Sequence, residues 1–249
     1  MSDAPPLLTI KRPAEVEAPP APAKSILREY LEMLVGAVIL ALFVRAFIFQ
    51  AFKIPTGSME PNLLIGDHLL VDKVIFSPSI GAFEDVLFGK RAIRRGDVLV
   101  FKFPEDPTRD FIKRTIGLPG ESFEIQDKQV LIDGKPLQEA AYAHFSEPPL
   151  RHEDPDYGLF GEDQRDNFGP AKIPTGQLMM MGDNRDNSRD SRFWGTLPTS
   201  QVKGRAVVVY WSYNATRDEY QQEASAQWVK DTLSALGRTR WSRFFHVIR

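Results

Sequence analysis

An almost wholly apolar run near the amino terminus most constrains what this chain can fold into. From Tyr30 to Phe52 the sequence reads YLEMLVGAVILALFVRAFIFQAF, and its uncharged centre extends from Met33 to Val44. At about 1.5 Å per residue, some 20 helical residues cross the hydrocarbon core of a bilayer. Glu32 and Arg45 flank the centre, and long charged side chains can reach the two interfaces. The run therefore predicts one transmembrane helix.

Two other interpretations compete for this run. It could be a buried helix of a soluble protein, or a cleaved signal peptide. A signal peptide needs a small-x-small site after its apolar segment, and residues 47–52, FIFQAF, contain none. Lys24 and Arg28 precede the run, and basic residues favour the cytoplasmic side. We therefore expect an uncleaved anchor over residues 29–52, with the bulk of the chain on the outer side of the cell membrane.

The proline-rich residues 1–28 cannot form a packed core, so we expect a disordered cytoplasmic tail there. The whole chain has 249 residues, no cysteine and a net charge of -2. The lack of cysteine excludes disulfides, thiol catalysis and Cys-based metal sites. The nearly neutral charge gives no reason to expect a nucleic acid partner. We expect no cofactor and no metal.

Short strand signals dominate the chain after the apolar run. Gly, Pro, Asp and Asn separate the runs, and Asp133-Gly134 is typical of a hairpin turn. The pattern predicts a mostly β fold with an antiparallel sheet or barrel-like core. The runs are Leu69–Val71, Val98–Phe101, Phe111–Ile116, Val130–Ile132, Leu178–Met181 and Ala206–Trp211.

The carboxyl-terminal part, residues 216–249, combines two patterns. Residues 217–237 predict a helix with an apolar face. The tail from Arg238, RTRWSRFFHVIR, mixes arginines with Trp241, Phe244 and Phe245. It could lie at a membrane interface, or it could be a terminal strand or helix that packs its aromatic side chains on the body.

The stretch KIPTGSMEP, which follows the apolar run, offers Ser58 as a nucleophile. A near copy, KIPTGQL, recurs at residues 172–178 without the serine. A serine needs a base to take its proton. His68 is one candidate, although it opens an apolar strand and is more typical of a structural histidine. Lys113 is the other, because a lysine held against an apolar face can lose its proton.

A polar stretch, MGDNRDNSRDSR, directly follows the apolar residues Leu178–Met181. A calcium loop that began at Asp183 would need Asp or Asn, Gly and Glu where the chain has Arg185, Ser188 and Trp194. The stretch therefore does not fit an EF-hand. It predicts a network of small polar and charged groups that could orient a catalytic side chain.

These motifs together resemble bacterial type I signal peptidase, a membrane-bound serine/lysine protease that removes signal peptides from exported proteins. The matching segments are FKIPTGSMEPNLLIGD, RRGDVLVFKFP, DFIKRTIGLPG and MGDNRDNSRDSRFWG. The resemblance implies a catalytic core over residues 53–120 and 173–215, interrupted by a smaller inserted domain of strands and loops at residues 121–172. A membrane-anchored β domain that only binds a partner is the alternative function.

The resemblance also implies roles for individual residues. Ser58 would be the nucleophile, Lys113 its general base, and the Ser58 N–H with the Thr56 hydroxyl the oxyanion hole. Ser188 would hydrogen-bond the Lys113 amine. Asp190 and Arg192 would form a supporting ion pair, with Arg114 and Asp183 nearby. Shallow pockets for small substrate residues at positions -1 and -3 would be lined by Phe52, Ile54, Pro55, Met59, Leu63, Phe111 and Ile112. The implied partners are signal peptides and the phospholipid membrane.

Overall fold

The structure is a computed structural model that describes residues 25–77, 81, 85–86, 89–149, 163–214 and 237–248. Helix α1 runs from Ile26 to Phe43, and none of its side chains is buried in the protein. A π-helical turn, Val44–Ile48, continues it. The combined segment, Ile26–Ile48, has 23 residues and contains an 18-residue stretch with a mean hydropathy of 2.3, which is long and apolar enough to cross a membrane. The predicted apolar helix is therefore confirmed.

The predicted end of this helix is wrong. Residues Phe49–Lys53 form strand β1, which pairs antiparallel with β2, Asp67–Asp72. The register joins Phe49 to Asp72 and Lys53 to His68. Apolar content cannot separate the end of a membrane helix from an apolar edge strand that follows it directly. The strand matters for function, because it leads the chain straight into the Ser58 turn.

The main body is built on an eight-stranded antiparallel sheet in the order β1-β2-β11-β3-β4-β9-β10, with β12 paired to β11. The strands after β2 are β3 Val98–Phe103, β4 Asp106–Gly117, β9 Gln177–Met181, β10 Leu197–Pro198, β11 Val202–Ser212 and β12 His246–Val247. Five of the six predicted runs lie within β2, β3, β4, β9 and β11, so the mostly β fold is confirmed.

A second, four-stranded antiparallel sheet has the order β7-β6-β5-β8. Its strands are β5 Ser122–Gln126, β6 Gln129–Ile132, β7 Lys135–Pro136 and β8 Phe168–Lys172. All four fall within residues 121–172, where the inserted domain is expected. Asp133 and Gly134 connect β6 to β7 with positive φ angles of 49° and 74°, as a hairpin turn of this type requires.

Both faces of β3 and β9 are buried, which explains why these strands are apolar at successive positions. Side chains alternate between the faces of a strand. Val98 and Val100 accordingly lie in one core cluster with Ile54, whereas Leu99 and Phe101 lie in another. The same alternation divides the run Leu178–Met181 between two clusters. The strands that carry the site are therefore fixed from two sides.

The carboxyl-terminal predictions have a mixed outcome. Most of the predicted helix, up to residue 236, lies outside the described residues. His246–Val247 pairs with β11, so a terminal strand is present. The aromatic side chains before it do not pack on the body, because Trp241 is 62% exposed and Phe245 is 72% exposed. That part of the packing alternative is wrong.

Gly204 gives a test of how β11 is held between β2 and β3. An added Cβ would overlap the backbone carbonyl of Asp72, beside a register shift in the β11–β3 pair. Backbone cannot move aside as a flexible side chain can. We expect Gly204→Ala to lower the free energy of unfolding by about 1–3 kcal/mol in chemical denaturation. The control is Gly81→Ala, where an added Cβ meets no atom of the described residues within 4 Å. Equal stability of the two variants would contradict this packing.

Candidate active site

The Ser58 turn is anchored by buried apolar side chains on both sides. After β1, Ile54 is only 1% exposed, and a short 3-10 helix, Gly57–Met59, follows. Met59 and Leu63 are also buried in the same core cluster. Anchoring at both ends fixes the backbone of the turn. Ser58 itself is 8% exposed and lines a cavity.

Lys113 meets Ser58 from the middle of β4. Its Nζ atom donates to Ser58 Oγ at 2.6 Å and to the carbonyl oxygen of Ile112 at 3.1 Å. Burial lowers the pKa of Lys113 to about 8, with Arg192 contributing in the same direction and Asp190 and Asp183 opposing it. The amine is therefore mostly protonated at neutral pH, and its neutral form predominates only above about pH 8.

Arg114, the next residue of β4, points to the opposite face and is also buried. Its guanidinium donates to both carboxylate oxygens of Asp183, at 2.7 Å each. Asn62 Nδ2 donates to the same carboxylate at 2.8 Å. The strand therefore presents a lysine to Ser58 and, on its other face, an arginine that anchors the start of the polar loop.

The polar loop, residues 182–192, contacts the Ser58 turn directly. The backbone N–H of Asn184 donates to the Ser58 carbonyl at 3.1 Å, and its side chain donates to the Gly57 carbonyl at 3.1 Å. A Cβ added to Gly182 would overlap the Ser58 carbonyl and the Ser188 hydroxyl. The loop therefore holds the backbone of Ser58 at close range, and only glycine fits at residue 182.

Asp190 and Arg192 form a buried ion pair with Nε–Oδ1 and Nη2–Oδ2 distances of 2.8 and 2.9 Å. Asp190 also accepts from the Gly182 N–H at 3.0 Å. Although burial alone would raise the pKa of Asp190, Arg192 and its other hydrogen-bond donors hold that pKa below its usual value. Asp190 is therefore ionised, and its charge is balanced by Arg192.

Ser188 lies in the site without the predicted contact. Among the described residues its buried hydroxyl has no hydrogen-bond partner of ordinary geometry, so no bond joins it to the Lys113 amine. It lies close enough to Asp190 to help lower the pKa of that carboxyl. It also lines the same cavity as Ser58 and Lys113. The predicted Ser188–Lys113 hydrogen bond is therefore absent from this structure, in which the Lys113 amine donates to Ser58 and Ile112 instead.

Sequence reasoning missed the residues of the inserted domain that brace the polar loop. Glu139 forms a buried, bidentate ion pair with Arg185. The His144 N–H donates to the Asp183 carbonyl at 2.7 Å, and the His144 carbonyl accepts from the Arg185 N–H at 2.9 Å. Lys128 donates to Asp186 at 2.6 Å. Sequence spacing gives no signal for these pairs, because they join residues that are 39 or more positions apart.

His68, the other candidate base, lies in an aromatic cluster. Its ring centroid is 4.7 Å from that of Trp211, and Tyr210 also packs against it. Burial lowers the pKa of His68 to about 4, with Lys53 acting in the same direction and Asp67 opposing it. No described contact joins His68 to Ser58. Within the described ranges, no three His, Asp or Glu side chains converge as metal ligands would.

Two cavities meet at Thr56, Phe111 and Lys113, and Ser58 lines the larger of them. The smaller, about 210 Å³, is lined by most of the residues predicted to hold the substrate, namely Phe52, Ile54, Pro55, Phe111 and Ile112. The predicted Met59 and Leu63 lie in the core and do not line it. The larger cavity, about 730 Å³, shares Thr56, Phe111 and Lys113 with the smaller and extends along residues 186–189 to Phe193.

Comparison with known proteins identifies the family. The family model "Signal peptidase, peptidase S26" matches residues 27–211. A signal peptidase I from Leptolyngbya laminosa is 37% identical over 211 residues, which cover 81% of this chain and 88% of that protein. A signal peptidase I from Aquifex aeolicus is 33% identical, with 87% of this chain and 97% of that protein covered.

Among solved structures, the chain matches a crystal structure of a signal peptidase I from Enterococcus faecalis with 27% identity and a TM-score of 0.37. That match covers 46% of this chain and 97% of the other. The family match spans both halves of the main sheet and the inserted strands between them. It also includes Ser58, Lys113 and the polar loop. The chain therefore belongs to the signal peptidase family, peptidase S26.

Proposed function

We propose that this chain is a membrane-anchored serine endopeptidase that removes amino-terminal signal peptides from exported preproteins. The observation that carries the mechanism is the 2.6 Å hydrogen bond between Lys113 Nζ and Ser58 Oγ in a buried site. Family membership supports the reaction. It does not support the alternative of a domain that only binds a partner.

The reaction begins when the neutral Lys113 amine accepts the Ser58 hydroxyl proton. Ser58 Oγ attacks the carbonyl carbon of the last signal-peptide residue and forms a tetrahedral intermediate. The carbon–nitrogen bond then breaks, and Lys113 returns the proton to the leaving amine of the mature protein. Water, deprotonated by the same lysine, attacks the ester between Ser58 and the signal peptide, the bond from Ser58 Oγ to the acyl carbon breaks, and Lys113 returns the proton to Ser58 Oγ. Both products and the starting enzyme are recovered.

Stabilisation of the oxyanion in the tetrahedral intermediate requires hydrogen-bond donors that are already in position before the reaction begins. The Ser58 N–H and the Thr56 hydroxyl are our candidates. Thr56 lines both cavities and has an extended backbone, with φ of -135° and ψ of 152°, directly before the Ser58 turn. Two fixed donors on one side of the attacked carbonyl stabilise the charge that develops there.

The smaller cavity supports a preference for small residues before the cut. Its volume of about 210 Å³ and its apolar lining, which includes Phe52, Ile54 and Ile112, suit short side chains at positions -1 and -3. The apolar segment Ile26–Ile48 would keep the chain at the membrane. We propose that the amino terminus lies in the cytoplasm and that the catalytic body lies on the outer side, where exported chains emerge.

Replacement of either member of the dyad tests the mechanism. We expect Ser58→Ala and Lys113→Met each to abolish cleavage of a preprotein by the detergent-solubilised protein, with the cut mapped by mass spectrometry. Lys113→Met should also unfold at higher denaturant at pH 7, because a buried lysine with a pKa near 8 costs up to about 3 kcal/mol relative to its unfolded value. His68→Gln is the matched control and should remain active. Full activity of folded Lys113→Met would contradict the dyad.

The pH dependence of kcat/KM tests the protonation state of Lys113. Because the pKa of Lys113 is lowered to about 8, activity should rise with pH through a midpoint near 8 as the neutral base forms. Ser188→Asp places a negative charge in the same cavity, which stabilises the ammonium form and should move the midpoint to higher pH. Ser188→Ala should lower turnover with little change of midpoint. An unchanged profile for Ser188→Asp would show that residue 188 does not influence the base.

Thr56 tests the oxyanion hole. Thr56→Ser keeps the hydroxyl and should be tolerated, whereas Thr56→Val keeps the shape but removes the donor. Loss of one such donor lowers kcat on the order of 100- to 1,000-fold. Steady-state kinetics on one signal-peptide substrate distinguishes the two variants. Equal kcat for Thr56→Val and the unaltered chain would remove this hydroxyl from the proposed site.

A further inference from the structure

The larger cavity is in a position to hold the first residues of the mature protein. This inference rests on the proposed function, which assigns the smaller cavity to the residues before the cut. A bound substrate has residues on both sides of the carbonyl that Ser58 attacks. A peptide that leaves Ser58 away from the smaller cavity enters the larger one. Its wall beyond the catalytic centre carries three charged side chains, Arg165, Asp186 and Arg189, next to the ring of Phe193.

Asp186 and Arg165 are already paired with other groups of the protein. The Asp186 side chain is 1% exposed and accepts from Lys128 at 2.6 Å and from two backbone N–H groups. Arg165 is 10% exposed and contacts Glu147 at 2.5 Å and Asp166 at 3.0 Å. Their charges are therefore largely balanced within the fold. Neither of them is free to pair with a substrate at low cost.

Arg189 differs from both, because its side chain is 69% exposed. In the part of the chain that the structure describes, its guanidinium makes one ion pair, with Glu105 at 3.1 Å, and that carboxylate is 47% exposed. Exposed ion pairs of this kind contribute less than about 1 kcal/mol and exchange partners readily. A guanidinium can also bind a carboxylate through two parallel hydrogen bonds.

We propose that Arg189 makes the larger cavity a subsite for an acidic side chain within the first few residues after the cut. The carboxylate of an Asp or Glu of the mature chain would displace or share the Glu105 contact. The Phe193 ring and the stem of Arg189 would pack against the rest of that residue. A lysine at the same substrate position would meet Arg189 as a like charge and bind less well.

The experiment uses the full chain in detergent and signal-peptide substrates that differ at one position. Asp, Asn or Lys is placed in turn at positions +1 to +5, and kcat/KM is measured for each. The unaltered chain should prefer Asp over Lys at one or two adjacent positions, by about two- to fivefold. Arg189→Glu should reverse that order, and the readout is the ratio of kcat/KM for Asp to kcat/KM for Lys, each divided by the value for the Asn substrate of the same enzyme, so that a general change in activity cancels. The matched control is Arg94→Glu, an exposed arginine outside both cavities, which should keep the original order.

Two further measurements make the assignment specific. Glu105→Gln removes the competing carboxylate, so the preference for Asp should increase. Added salt should reduce the preference, because it screens exposed charges. The same Asp-to-Lys ratio in the unaltered chain and in Arg189→Glu would overturn the subsite while cleavage continued. Failure of the unaltered chain to cut any substrate would instead contradict the proposed function and, with it, this inference.

Discussion

A lysine amine buried against a serine hydroxyl is the interaction on which the rest of this site depends. Lys113 is 4% exposed, and burial lowers its pKa to about 8. Such a lysine regains its proton as soon as an unbalanced carboxylate approaches it. The two nearby carboxylates, Asp183 and Asp190, are each bound by their own arginine, at distances between 2.7 and 2.9 Å. The two arginines therefore balance the negative charges of Asp183 and Asp190, although the polar loop that carries these carboxylates lies close to Lys113.

The polar loop also fixes the Ser58 turn, and through Asp183 and Arg114 it is anchored to β4, the strand that carries Lys113. Asn184 binds two successive carbonyls of the Ser58 turn, and Gly182 allows the loop to approach that turn without a Cβ. Glu139 and Lys128 of the inserted domain support the loop through ion pairs with Arg185 and Asp186. Breaking a buried ion pair leaves an uncompensated charge, so these braces strongly favour one arrangement of the loop.

The two KIPTG copies show how one local structure serves two purposes. In the first copy, Lys53 ends β1 and is followed by a buried isoleucine. In the second, Lys172 ends β8 and is again followed by a buried isoleucine, Ile173. The second copy then feeds β9, which leads to the polar loop. The first leads instead into the 3-10 turn that carries Ser58, so the difference between the copies lies in the residues after the glycine.

Local properties of the chain determined the apolar helix and the predicted strands. They also determined that Lys113 and Arg114 lie on opposite faces of β4. Helix length and strand alternation depend only on neighbouring residues, so the sequence alone was sufficient for these features. The motifs around Ser58, Lys113 and residues 182–192 were also sufficient to predict the candidate site. Only the tertiary structure decided that Phe49–Lys53 joins the sheet, that Lys113 and not His68 contacts Ser58, and that Met59 and Leu63 belong to the core. These outcomes depend on sheet register and on contacts between segments that are distant in sequence. Ser58 and Lys113, for example, are 55 positions apart. No local pattern encodes such contacts.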